Sequence, residues 1–305
     1  MTAELKLFCG DGPDQPVNPT GGHTVQSVID WFVTHSTPSR SKVASTERRR
    51  IFALFCKRFG PALVADVIGA DLVDFVQAQE RVKAGNTIDR WYRTIKRPFC
   101  EAERLGMIMR SPFKGVRSPK GNEGRDLTVP EFRQLLRSAT PAFRRVLTFL
   151  RFSGARPAEL IGLLWCHVLI DEKVILLWQH KTVHKTGKPR RIYLNSVLVK
   201  LLVAMKRKSE SEFVFVNSYG GQWKTRALCK NVAKIREKAG LPDDVKLYGT
   251  RHMHGTGAIV NGVDIATLAQ LMGHTNTRTT ERYIHLAGQN DHLAKAAEQA
   301  IKKPR

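Results

Sequence analysis

The chain has 305 residues of ordinary globular composition, long enough to bury more than one core, and two domains are expected. Lys and Arg number 50 against 27 acids, a net charge of +23 spread along the chain rather than gathered in a tail, so the expected partner is a polyanion. No apolar run approaches the roughly 18 residues of a spanning helix and the N-terminus lacks a basic-then-apolar leader, which argues against a membrane partner and favours nucleic acid.

Cys9, Cys56, Cys100, Cys166 and Cys229 are odd in number and scattered. They read as reduced, buried thiols of a cytoplasmic protein. The ten histidines do not imply zinc: no CxxC or HExxH spacing occurs, the segment from His252 to His285 has no cysteine, and its acids, Asp264 and Glu281, lie at no ligand spacing. No metal is expected.

Residues 1–22 are rich in turn formers and read as a loose N-terminal segment. From Thr24, a cap residue, Val25, Val28, Ile29 and Phe32 recur at helical spacing. A second helix is expected after Ser45, with Ile51, Leu54, Phe55 and Phe59 as its apolar stripe and Arg48, Arg49 and Arg50 crowding its start. Cations there oppose the helix dipole, so they serve either as a solvated face or as phosphate contacts. Two more helices are expected at 71–79 and 86–105. The second places Ile88, Trp91, Ile95, Phe99 and Ala102 on one side and Arg90, Arg93, Lys96 and Arg97 on the other, a basic face suited to a DNA backbone. Residues 23–110 thus form a small helical domain.

Residues 111–126, SPFKGVRSPKGNEGRD, break the periodicity and read as a linker whose cations, Lys114, Arg117 and Lys120 among them, run beside DNA. A second domain, 127–290, opens with a capping box, Thr128 to Glu131, with Pro130 in the first turn. A helix over 141–152 ends at Ser153-Gly154 and another begins at Pro157, which puts Arg156 at a sharp corner. Strands at 174–178 and 191–194 flank a lysine-rich hairpin turn. Helices follow at 196–206 and 225–239, and residues 291–305 form a helical tail that packs either on its own domain or on a neighbouring protomer. The fold class expected is mostly α with a small β-sheet.

The stretch from Tyr248 to His285 concentrates the chemistry. Tyr248 and Arg251, three apart, should share a helix face, and His274 and Tyr283 bracket a turn and a short helix. Taken with FSGARPAEL, the hairpin, T-R-H and M-G-H followed nine residues later by Tyr283, this stretch resembles the tyrosine recombinases of the phage-integrase type. The resemblance spans about Thr24 to His285. It implies an N-terminal helical core-binding (SAM-like) domain, a mixed α+β catalytic domain, and a bacterial or phage-like recombinase acting at the nucleoid. By position it assigns Arg156 and Arg251 as the two arginines, Glu159 as the supporting acid, His274 as the motif histidine and Tyr283 as the nucleophile. The hairpin lysine is Lys185 counted back from RRIYL, or Lys181 counted forward from VILLWQHK.

The chemistry stands on physical grounds as well. Two arginines can clamp the nonbridging oxygens of a phosphodiester in place of a metal, and a tyrosine hydroxyl can form a covalent phosphotyrosyl link that conserves the bond energy. No cofactor is needed. The resemblance further implies double-stranded DNA as partner, bound by a dimer per site and a tetramer in the synapse. One position departs from the family pattern: Tyr248 stands where a histidine is usual. A phenol is a poor neutral-pH base but a competent donor, so Tyr248 is expected to hold a phosphate oxygen or orient Tyr283, with His252 as a structural residue or a substitute base. Competing readings are a type IB topoisomerase-like or hairpin-end-forming enzyme, and a catalytically impaired DNA-binding relative.

Overall fold

The computed structural model describes residues 22–36, 42–79, 85–119, 125–178, 187, 189–274 and 276–283. The chain divides into two compact units, 1–123 and 124–305. Among the described residues no helix is long and apolar enough to cross a membrane.

The first unit is helical: α1 (Val25–His35), α2 (Lys42–Phe59), α3 (Gly69–Gln77) and α4 (Gly85–Arg104). Thr24 caps α1, its hydroxyl accepting the Ser27 N–H at 3.1 Å. Helix α2 begins several residues before the position expected, so Arg48, Arg49 and Arg50 lie in mid-helix and the dipole argument about them does not apply. Val28, Ile29, Phe55, Leu72, Trp91, Ile95 and Phe99 build the core. Phe113 belongs to it as well: it is fully buried, with its ring 4.9 Å from that of Phe99 and 6.0 Å from that of Phe55. The segment expected to be a linker therefore starts as core. Its proline and glycine punctuation, with cations on either side, hid one aromatic anchor.

The second unit runs α5 (Val129–Ser138), α6 (Pro141–Ser153), α7 (Pro157–Ile161), β1 (Val168–Leu169), β2 (Val174–Leu177), β3 (Arg190–Tyr193), α8 (Ser196–Lys206), α9 (Thr225–Lys238), α10 (Gly249–Val260) and α11 (Ile265–Met272). The capping box at Thr128 and Glu131 is formed in both directions. The strands form an antiparallel sheet in the order β1-β2-β3, with Ile175 opposite Ile192 and Leu177 opposite Arg190. Two-residue β1 is too short to show a period in the sequence. The main core joins Leu147, Phe149 and Leu150 of α6 to Ile175, Ile192, Leu198, Leu202, Phe215 and Leu228. A smaller cluster joins Ile259, Leu268, Met272 and Tyr283. The chain is thus mostly helical with a small three-stranded antiparallel sheet.

Candidate active site

The M-G-H signature is the end of a helix. Gly273 takes the left-handed conformation (φ 64°), and the N–H groups of Gly273 and His274 return to the carbonyls of Gln270 (3.0 Å) and Ala269 (2.8 Å), closing a Schellman cap. Two carbonyls of the last turn, those of Leu271 and Met272, are left over, and an arginine takes each. Arg251 of α10 donates to Met272 at 2.7 Å and to the carbonyl of Gly154, the left-handed residue that ends α6. One side chain thereby ties two helix ends together. Its burial is nearly complete, at 1% exposure, and burial, with Arg156 and Arg190 nearby, lowers its pKa.

The second guanidinium nitrogen of Arg251 also meets Nε2 of His274 at 2.8 Å. A guanidinium only donates, so Nε2 is the acceptor, and the ring proton sits on Nδ1, 2.7 Å from the Thr280 hydroxyl. Burial and the charges of Arg251, Arg156 and Arg190 push the His274 pKa down to about 4, which leaves the ring neutral at neutral pH.

Arg156 stands at the corner before α7. Glu159 reaches back to accept the Arg156 backbone N–H at 2.7 Å and its guanidinium at 2.9 Å. The same carboxylate is paired with Arg190, the first residue of β3, which also donates to the Leu271 carbonyl at 3.3 Å. Burial pushes Glu159 up, but Arg190 and Arg156 outweigh it and hold the carboxyl below the usual range. At Arg190 burial prevails over the carboxylate and lowers the pKa. Guanidinium starts so high that the group stays charged at neutral pH.

Tyr283 ends the described chain and is buried in the small apolar cluster, its hydroxyl 3.1 Å from Nδ1 of His252. Gly255, one turn on from His252, makes room for it: a Cβ at that position would stand 2.6 Å from the phenol ring. Burial outweighs the nearby charges of Arg282 and Arg251 and raises the Tyr283 pKa to about 12. Tyr248 keeps helical backbone angles (φ −66°, ψ −21°), and its carbonyl accepts the Arg251 N–H at 3.1 Å. It is the residue before α10, partly exposed, with its ring edge-on to His252 at 5.0 Å between centroids.

The structure therefore brings Arg156, Glu159, Arg251, His252, His274 and Tyr283 together within one unit, with Tyr248 at the edge. The hairpin candidates Lys181 and Lys185 lie outside the described residues, as does Lys120. Arg190 was missed, because in the sequence it reads as one more cation on an exposed strand. A period-two reading of β3 could have found it: Arg190 and Ile192 point inward, Arg191 and Tyr193 outward.

The remaining cations belong to the first unit. Arg48, Arg93 and Arg97 line a groove with Phe32, Asp89, Arg90 and Thr94, and Arg97 stacks 5.7 Å over the Phe32 ring. Arg93 is paired with Asp89. Arg50 pairs with Glu47 at 3.1 Å, and Arg49 lines a different groove, beside Gln26 and Lys57. Lys96 is turned inward, its ammonium bonded to the Val116 carbonyl, which removes it from the basic face expected for α4. Lys114 pairs with Glu103 at 2.6 Å, and Arg117 is exposed.

Comparison with known proteins gives the family and the fold. The model of the phage integrase family matches residues 126–290. The tyrosine recombinase XerC of Xanthomonas campestris is 26% identical over 307 residues, covering 95% of this chain and 93% of the relative. Among solved structures, the Tn1549 transposon integrase in complex with a circular intermediate DNA superposes with a TM-score of 0.75 at 18% identity, covering 90% of this chain and 99% of that one. A lambda integrase tetramer bound to a Holliday junction superposes with a TM-score of 0.69 at 15% identity, covering 90% and 84%. The chain belongs to the phage integrase family, as a tyrosine recombinase of site-specific DNA recombination.

Proposed function

We propose that the chain cleaves and rejoins double-stranded DNA through a 3′-phosphotyrosine at Tyr283. The Tyr283 oxygen attacks the scissile phosphorus as the bond from phosphorus to the 5′ oxygen breaks; a DNA 5′ hydroxyl later reverses the step, so bonds made and broken balance without a cofactor. Arg156 and Arg251 hold the nonbridging oxygens, where charge develops. The observation that carries this reading is that two neighbouring residues of α10, Arg251 and His252, meet His274 and Tyr283, which come from two later segments of the chain.

The proton on Tyr283 needs an acceptor, because burial works against ionisation. His252 is within hydrogen-bond reach and Tyr248 is not a base, so His252 takes the proton while Tyr248 holds its ring from the side. In the free protein, Nε2 of His274 accepts from Arg251. An arriving phosphate brings negative charge that offsets the arginines, raises the His274 pKa and lets Nε2–H donate to a nonbridging oxygen. A hairpin lysine, Lys185 or Lys181, protonates the departing 5′ oxygen.

The basic groove of Arg48, Arg90, Arg93 and Arg97 holds the duplex backbone, and the two domains are joined by a linker that begins after the buried Phe113 and ends at 126. The protein works at the bacterial nucleoid, as a dimer on each site and a tetramer in the synapse. The solved lambda integrase tetramer on a Holliday junction supports that assembly. The reaction is integration, excision or resolution of a mobile element.

The test is incubation with a duplex nicked just 3′ of the scissile phosphate, so that the short 5′-hydroxyl fragment diffuses away and covalent adduct accumulates. The wild type forms adduct and Tyr283→Phe forms none. His252→Gln slows adduct formation at least ~10²-fold, the range for loss of a general base. On a supercoiled plasmid carrying two sites, relaxation without recombinant product would instead favour a topoisomerase, and on the nicked duplex adduct formation by Tyr283→Phe would remove the reading.

A further inference from the structure

Arg190 has no role in the chemistry described above, yet it is placed between two of its parts. Its side chain lies between the corner that carries Arg156 and the turn that carries His274, two segments more than one hundred residues apart in sequence. One guanidinium nitrogen pairs with Glu159, whose other contacts are both to Arg156. The other nitrogen donates to the Leu271 carbonyl, one of the two left over by the Schellman cap, at 3.3 Å. Between these ends the side chain passes close against Gly273, where a Cβ would stand 2.5 Å from Nε, 2.7 Å from Cδ and 3.0 Å from Cζ. The residue is 7% exposed, and Nε has no hydrogen-bond partner among the described residues.

We propose that Arg190 is a positioning residue of the phosphate site, a strut that fixes the separation of Arg156 from His274. Stability does not explain it. Burying a guanidinium, with one N–H left without a partner, costs free energy, and a buried ion pair is often no more stable than apolar residues of similar volume. Geometry does explain it. Planar guanidinium carries two forks in fixed relation, so the carboxylate that orients Arg156 and the carbonyl two residues before Gly273 are held to one rigid group. A lysine has one donor centre and could serve one end only. Gly273 is required twice over, by its left-handed backbone and by the close approach of Arg190.

The inference rests on the reading that Arg156 and His274 grip the phosphate, and the test separates the two. Adduct formation is measured in single turnover at saturating protein, on the nicked duplex and on the same duplex with a methylphosphonate at the scissile position. That group is neutral, so less charge needs to be held in the transition state. Arg190→Met should still fold, because Glu159 keeps Arg156 as its partner. It should slow adduct formation about 10²-fold on the phosphodiester, the cost of misplacing a catalytic group by about 1 Å. DNA affinity should stay within about threefold, and Arg190→Lys should fall between Arg190→Met and wild type.

On methylphosphonate the Arg190→Met deficit, relative to wild type, should shrink several-fold, in parallel with that of Arg156→Ala. Equal deficits on both substrates would make Arg190 merely structural and overturn the proposal, as would full activity of Arg190→Met. If Arg156→Ala lost nothing on the phosphodiester, the reading of the site itself would fail instead.

Discussion

Arg156 and Arg251 are assigned the same task and are held by opposite means. Glu159 fixes Arg156 with a carboxylate, which neutralises part of the charge it presents, and its side chain keeps 23% of its surface in solvent. Arg251 is fixed by carbonyls alone, those of Gly154 and Met272, and by a neutral imidazole, and it is fully enclosed. Carbonyls orient a guanidinium without cancelling it. The difference implies a division of labour: Arg251 supplies undiluted positive charge, whereas Arg156 supplies a directed fork whose aim depends on Glu159 and, through it, on Arg190.

The largest test of that contrast is lysine replacement at each arginine. Arg251→Lys leaves buried carbonyls without donors, so it should cost about 2–3 kcal/mol of stability as well as about 10³-fold in adduct formation. Arg156→Lys should cost about 10²-fold in rate and little stability, because Glu159 keeps Arg190 as partner. Melting temperature and single-turnover rate, read together, check both. Equal stability losses would erase the contrast.

Glu159→Gln sharpens it further. A neutral amide frees the aim of Arg156 but leaves Arg251 untouched, so a loss of about 10-fold in rate is expected, with no further loss when combined with Arg156→Ala. Additive losses in that double variant would mean that Glu159 acts elsewhere. Gly255→Ala addresses the nucleophile's seat: the added methyl displaces the Tyr283 ring from His252, and adduct formation should slow about 10-fold at unchanged DNA affinity. Unchanged rate would show that Tyr283 does not react from this seat.

A further test is acid sensitivity, which reads stability alone. His254 is pressed against Gly154, and its Nδ1 lies 3.2 Å from the Arg151 carbonyl; burial pushes its pKa down to about 4, as burial and the arginines do for His274. With the folded pKa below the unfolded value of about 6.5, the unfolded chain binds more protons between these values. Stability should therefore be full above about pH 6.5 and fall as pH drops toward 4, by at most about 3 kcal/mol from His254. His254→Gln should flatten the melting temperature over that range, and a slope unchanged by it would rule His254 out as the source.

Much of this site could be read from local sequence, and the limit of that reading has a physical form. The capping box at Thr128, the corner at Arg156 and the caps at Gly154 and Gly273 are short-range devices, written within a few residues. What escaped depends on contacts distant in sequence. Arg190 is buried between Glu159 and the end of α11, both distant from it in sequence. Phe113 looked like part of a linker because nothing local tells an aromatic in a Pro–Gly stretch from one in a core.

The most direct measurement is the chemical identity of the adduct. Wild-type protein is trapped on the nicked duplex, digested, and the DNA-linked peptide sequenced by mass spectrometry. The account predicts one link, a 3′-phosphate ester on the phenol of Tyr283, with a free 5′ hydroxyl on the released strand. A link at Tyr248 or any other residue, or a 5′-phosphate ester, would contradict it.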